Sequence, residues 1–80
     1  MSRQYLTVTV HYIETNLLYV LELDGLVIGF YFLEMLEETA DLGFFFVRPE
    51  YIRKGFGMFL FQHVVTTARE LGKSVIRIES

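Results

Sequence analysis

Two cations and two glycines fall within five residues, Arg53-Lys54-Gly55-Phe56-Gly57, at the head of a run with helical periodicity. The first N–H groups of a helix have no partner inside it, and the helix dipole favours an anion beside them. Glycine lets a phosphate approach the backbone with no Cβ in the way, and Arg53 and Lys54 bring charge to the same place. The spacing fits a small anion site with contacts from Arg53 to Met58. It fits equally a glycine-rich turn that joins strand to helix and binds nothing. Two other phosphate signatures fail. A dinucleotide fingerprint starting at Gly55 needs Gly or Ala at position 60, where Leu60 stands. The Gly72-Lys73-Ser74 triplet lacks the glycine that a Walker loop requires at position 67, where the chain has Thr67.

Other reactive side chains are sparse. The chain has no cysteine, which excludes disulfides, thiolate metal sites and Cys nucleophiles. His11 has no partner at metal-ligand spacing, so no metal is expected. His63 falls on the apolar stripe of the helical run and reads as a core or partly buried residue. Glu34, Glu37, Glu38 and Asp41 form an acidic cluster, either a solvated connection or a surface that attracts a cationic amine. Seven Lys and Arg stand against ten Asp and Glu, a net charge of −3. With no basic stripe, nucleic acid is not an expected partner, and the five Tyr and eight Phe read as core rather than as base-stacking platforms.

Strand, turn and helix signals place these residues. Residues 5–15 alternate over Thr7 to Val10 and lean to strand, although Leu6, Val10 and Ile13 also fit one helical face. Leu17 to Leu23 and Leu26 to Leu33 read as an antiparallel pair around Asp24-Gly25, a strong two-residue hairpin signal. The second of these is apolar on both faces and is expected to be central and covered on both sides. Glu34 to Glu38 reads as a connection. Thr39 to Val47 is the next strand, closed by Pro49. Gly55 to Leu71 is the helix, with Phe56, Phe59, Leu60, His63, Val64, Thr67, Ala68 and Leu71 at i, i+3, i+4 spacing. Gly72 ends it, and Lys73 to Glu79 is a final strand, parallel to the one before the helix.

Length and composition then bear on what surrounds these elements. Eighty residues make one small domain, 1–80, with little interior of its own. Yet 52% of residues are apolar with tyrosine included. Counting glycine instead of tyrosine keeps the share above the ~45–50% of typical soluble domains. Met58, Phe61 and Val65 form a second apolar row nearly opposite the first on the helix. A helix packed once against a sheet does not need it. A second copy of the chain, or a further segment, is expected to cover these three residues. Met1 to Tyr5 lacks the apolar run of a signal peptide. The longest uncharged stretch, Gly55 to Ala68, falls short of the ~20 residues of a membrane span. A soluble, cytoplasmic protein without a membrane partner is expected.

From Leu21 to Ser80 the chain resembles the acyl-CoA-binding half of a GNAT-superfamily N-acetyltransferase. The resemblance is carried by Glu22-Leu23-Asp24-Gly25-Leu26-Val27-Ile28-Gly29-Phe30, Ala40-Asp41-Leu42, Phe46-Val47-Arg48-Pro49-Glu50-Tyr51, Gly55-Phe56-Gly57 and Ala68-Arg69-Glu70-Leu71-Gly72. It implies an α/β (α+β) fold with a mixed sheet, antiparallel strands leading into a strand–helix–strand crossover, incomplete relative to the full family fold. It implies acetyl-CoA as acetyl donor and a small-molecule or peptide amine as acceptor. By resemblance, backbone groups of Phe45, Phe46 and Val47 pair with the acetyl-pantetheine arm, and the N–H groups of Arg53, Lys54, Gly55, Phe56, Gly57 and Met58 hold the pyrophosphate. The family's loop begins with Gln or Arg at the position of Ile52, so Arg53 would have to substitute there. Asp41 stands where many relatives place a general base; otherwise it is a solvated residue near a strand start. The family's first strand and helices are expected to be largely missing upstream, and its thiolate-protonating tyrosine to lie beyond Ser80. A non-catalytic, dimerising CoA-binding module is the alternative function.

Overall fold

The computed structural model describes residues 5–78. Five strands form one sheet in chain order: β1 (Leu6–Ile13), β2 (Asn16–Leu23), β3 (Leu26–Met35), β4 (Thr39–Val47) and β5 (Val75–Ile78). The first four are antiparallel neighbours, and β5 lies parallel to β4. Between β4 and β5 the chain forms a short helix α1 (Pro49–Tyr51), a wide π-type turn over Ile52–Phe56, and the long helix α2 (Gly57–Glu70). This is the mixed sheet with a connecting helix that the resemblance implies.

The turns follow local chemistry. Asp24 and Gly25 sit at φ +52° and +84°, the two left-handed positions of a hairpin turn that matches strand twist. Within residues 5–15, Leu6–Ile13 forms the strand, and Glu14-Thr15 joins β1 to β2 without room for a helix between them. A strand therefore flanks β2, as the alternation over Thr7 to Val10 suggested. The connection after β3 is shorter than the acidic run suggested. Glu34 and Met35 pair with Asp41 and Ala40, because cross-strand register extends β3 past its apolar stretch. Of the final strand, Val75–Ile78 is formed, and Glu79 lies outside the described residues.

The core lies between α2 and one face of the sheet. Leu17, Leu21, Ile28, Tyr31, Leu33, Ala40 and Leu42 come from the strands, and Leu60, Val64 and Ala68 from the helix. α2 packs tightly over Gly29, where an added Cβ would stand 3.3 Å from Leu60 Cδ2 and 2.8 Å from the Phe46 carbonyl oxygen of the neighbouring strand. Phe59 and Leu71, expected on the buried stripe, are exposed, so the buried arc is narrower than the periodicity implied. The opposite sheet face is a second departure. Phe30 and Phe32 are only half-buried, and Phe44 is 65% exposed. β3 is thus central but covered on one side among the described residues. The radius of gyration, 13.1 Å, exceeds the ~12 Å of a compact chain this long.

One polar cluster crosses the core. The Tyr31 hydroxyl lies 2.6 Å from His63 Nδ1 and 3.1 Å from Thr67 Oγ1. Tyr19 stacks on Tyr31 with centroids 4.9 Å apart, and its ring is 5.1 Å from that of His63. The shortest contact suits a tyrosine O–H donated to an unprotonated imidazole nitrogen. Desolvation pushes the Tyr31 hydroxyl well above its ordinary range and pulls His63 below the usual imidazole range, with Glu70 opposing the latter. The folded chain therefore takes up a proton at His63 later than the unfolded chain as pH falls. Stability from this site is whole above pH ~6.5 and is lost as pH drops below it. Urea midpoints followed by circular dichroism should fall between pH 7.5 and 5.5, and the slope should flatten in His63→Asn. An equal slope in both proteins would rule His63 out as the source.

Candidate functional site

The segment with the two glycines begins where β4 leaves the sheet. The Arg48 N–H donates to the Ile28 carbonyl at 2.7 Å, and Arg48 Nε donates to the Val27 carbonyl at 2.7 Å. Those carbonyls flank an irregularity in the β2–β3 register, where Leu21 pairs with Gly29 and Glu22 with Val27. Arg48 therefore fixes the direction in which the chain leaves the sheet, a role its sequence position did not disclose. Pro49 then occupies the first helical position, where its missing N–H has no cost and its fixed φ suits a helix. The residues expected to be a loop are for this reason helical turns, and α2 proper starts at Gly57 rather than Gly55.

The two glycines do different things. Gly55 takes φ +88°, a conformation that separates the wide turn from α2. Gly57 has φ −62°, ordinary for a helix, and an added Cβ would meet no atom within 4 Å. The chain's own packing does not require glycine at 57. What glycine leaves there is open backbone at the first residue of a 14-residue helix.

Beside it lies a cavity of about 480 Å³ lined by Phe45, Phe46, Val47, Ile52, Gly57, Met58 and Phe61. Two elements make it. β5 pairs only with Thr39–Leu42, so among the described residues the outer edge of Gly43–Val47 faces no strand. α2 passes that edge, with Phe61 edge-on to Phe45 at 6.3 Å. The groove thus combines unpaired strand backbone, a helix N-terminus and apolar walls. Met58 and Phe61 from the second apolar row form one wall, and Val65 lines a separate cavity with Ala68, Arg69 and Lys73.

Of the residues singled out from sequence, Phe45, Phe46, Val47, Gly57 and Met58 come together in this groove. Arg53, Lys54, Gly55 and Phe56 do not line it; they form the turn that leads into Gly57. Arg53 and Lys54 are exposed, and Lys54 Nζ sits 5.4 Å from the centre of the Tyr51 ring. Ile52 and Phe61 are lining residues that sequence reasoning had not assigned. For Ile52 the only signal was its place in the loop pattern; for Phe61 it was the second apolar row.

Asp41 lies further back along β4. One extra residue, Gly43, separates the pairs Phe32–Phe44 and Leu33–Leu42. Asp41 consequently shares the sheet face of Phe44 and Phe46, away from α2. It pairs in register with Glu34 on one side and Arg77 on the other. Arg77 Nε is 3.9 Å from Asp41 Oδ1, and this buried oxygen has no hydrogen-bond partner among the described residues.

The sequence model described as Acetyltransferase (GNAT) family matches residues 2–80. Among solved structures, an IAA acetyltransferase from Bacillus cereus is 34% identical with a TM-score of 0.72, covering 84% of this chain and 45% of its own. A ribosomal-protein-alanine N-acetyltransferase from Brucella melitensis biovar Abortus is 18% identical with a TM-score of 0.73, over 84% of this chain and 52% of its own. The aminoglycoside 6'-N-acetyltransferase AAC(6')-Iy, solved with a bisubstrate analogue of CoA, is 17% identical with a TM-score of 0.68, over 85% and 52%. The chain therefore spans about half the length of these solved structures. No curated protein sequence matches. Among the described residues no helix is long and apolar enough to cross a membrane.

The two glycines should respond oppositely to alanine. Gly57→Ala is expected to hold or raise the melting temperature, since alanine is favoured over glycine in a helix by up to ~1 kcal/mol. Gly55→Ala must hold a left-handed φ and is expected to cost about 1–2 kcal/mol. Thermal melts of both variants decide it; equal destabilisation would show that the fold itself needs Gly57.

Proposed function

Because the chain belongs to the acetyltransferase (GNAT) family, we propose that it binds acetyl-CoA in the groove between β4 and α2 and serves transfer of the acetyl group to an amine. The observation that supports this most is the meeting of three features at one place. These are the unpaired edge of Phe45–Val47, the open backbone of Gly57, and apolar walls from Ile52, Met58 and Phe61. An extended arm with amide groups can add to the free strand edge as a further strand would. The N–H groups from Arg53 to Met58 can hold a pyrophosphate at the start of α2, with Arg53 and Lys54 supplying positive charge. Lys54 rests over Tyr51 and can swing to the anion by side-chain rotation alone.

Acetyl-CoA supplies a thioester whose carbonyl an uncharged amine attacks, with the C–S bond breaking and the thiolate leaving. Asp41 is the residue to take the proton from the amine, directly or through one water. Its Oδ1 makes no hydrogen bond among the described residues, and Arg77 Nε stands 3.9 Å from it. Glu34 lies opposite Asp41, and Glu37 and Glu38 follow in the exposed connection. Together they make an acidic approach suited to an amine that arrives protonated.

Titration of the purified chain with acetyl-CoA by calorimetry should give micromolar binding. Gly57→Glu should weaken it at least a hundredfold while leaving the melting temperature unchanged, because its carboxylate would stand where the pyrophosphate is expected. Asp41→Asn should retain binding and lower release of free CoA with a panel of amines. Binding without amine-dependent CoA release from the parent chain would assign the non-catalytic module instead. No binding by a folded chain would overturn the groove assignment.

A further inference from the structure

The outer edge of β1 is eight residues long and carries no Lys, Arg, Asp, Glu or Pro: Leu6-Thr7-Val8-Thr9-Val10-His11-Tyr12-Ile13. Sheet edges left open normally carry a charge, a proline or a bulge that stops another strand from adding. β5, at the other end of the sheet, has Arg77. β1 pairs with β2 without a register break, and among the described residues no strand lies on its other side.

The direction of its backbone groups follows from the ladder. The Asp24 N–H donates to the Tyr5 carbonyl, so Tyr5 and every second residue after it (Thr7, Thr9, His11, Ile13) turn their backbone groups to β2. Leu6, Val8, Val10 and Tyr12 turn their N–H and C=O groups outward. Their side chains share the α2 side of the sheet with their register partners Leu23, Leu21, Tyr19 and Leu17. Leu6 is 40%, Val10 36% and Tyr12 75% exposed.

We propose that β1 pairs antiparallel with β1 of a second copy of this chain, about a two-fold axis at Thr9, making one continuous ten-stranded sheet. In this register Leu6 meets the partner subunit's Tyr12 and Val8 meets the partner subunit's Val10, each pair twice by symmetry. Every outward group of the four residues then finds a mate, since each such pair exchanges two hydrogen bonds. The same face brings Leu6 against the partner's Tyr12, extending the apolar layer of Leu17, Leu21 and Leu23 across the axis. Charge does not oppose this occupant. The chain carries −3 overall, yet two copies meet here through strands with no formal charge, so self-association meets no like-charge opposition within the strand pair. The surface differs from Met58, Phe61 and Val65, and the proposal stands apart from acetyl transfer.

Sedimentation equilibrium of the 80-residue chain should give twice the 9.4 kDa chain mass in the micromolar range. Val10→Pro removes an outward N–H and no bond to β2, so it should give a folded monomer. Val10→Lys should do the same by burying a charge at the pairing edge. The register has its own test, because the natural chain lacks cysteine. Thr9→Cys should cross-link to its own copy on mild oxidation, with Cα atoms about 4.5 Å apart in a non-hydrogen-bonded pair. Val10→Cys should not, lying a diagonal step of about 7–8 Å from its copy. A parent chain that is monomeric throughout overturns the proposal, as does a dimer that survives Val10→Lys. Cross-linking through Val10→Cys but not Thr9→Cys overturns the register and with it the proposed axis.

Discussion

The close seating of α2 on β3 is the constraint from which the remaining geometry follows. Gly29 leaves room for Leu60, and a single methyl there would meet the backbone of Phe46 as well as the helix. With the helix at that depth, Leu60, Val64 and Ala68 lose nearly all contact with water. Tyr31 can then reach His63 and Thr67 in one polar cluster across the same interface. A helix one methyl further out would loosen both apolar and polar contacts together. It would also move Phe61 from Phe45 and open the groove on which the acetyl-CoA reading depends. Core and candidate site therefore share one spacing.

What was legible in the sequence was what short-range chemistry dictates. Asp24-Gly25 demands a left-handed pair and gets one, and Leu60, Val64 and Ala68 repeat at helical spacing because one face is buried. The glycine segment marked the start of the helix, while only the resemblance implied that Phe45 to Val47 serve the same site as Gly57, and one groove is lined by all four. What escaped depends on distant partners. The His63 position showed an imidazole on an apolar stripe, but not that its mate is Tyr31, 32 residues earlier. Glu34 looks like connection until Asp41 is brought opposite it. The wide turn over Ile52–Phe56 needs Arg48 anchored to β3 and Gly55 at positive φ, and neither can be read from pattern.

Apolar composition reports how much surface wants covering and not what covers it. Phe30 and Phe32 read as the second face of a doubly buried strand, next to Phe44 and Phe46 of the following one. They instead form adjacent pairs on an open face, Phe30 with Phe46 at 5.5 Å and Phe32 with Phe44 at 6.0 Å. Met58 and Phe61 looked like a demand for a further layer, and they wall a groove. The same excess of apolar residues is thus spread over three surfaces with different geometry: a face, a groove and an edge. Of the three, the edge of β1 presents the longest run of open strand backbone, eight residues without a formal charge.

β4 shows how one inserted residue lets a single strand serve both sides of the sheet. Asp41, Phe45 and Val47 are all odd-numbered, and in a regular strand they would point to the same side. Asp41 would then face the core under α2, where a carboxylate without a partner is costly to bury. The bulge at Gly43 shifts the alternation by one, so Ala40 and Leu42 fill the core while Asp41 turns to the other face beside Arg77. Past the bulge, Phe45 and Val47 resume the inward positions and line the groove. Gly43 suits this point because the strand must bend there with Phe32 close above, 3.3 Å from where a Cβ would sit. The carboxylate proposed to take a proton and the strand edge proposed to hold the acetyl arm are thereby set on consecutive stretches of one rigid element, their separation fixed by strand geometry rather than by a flexible loop.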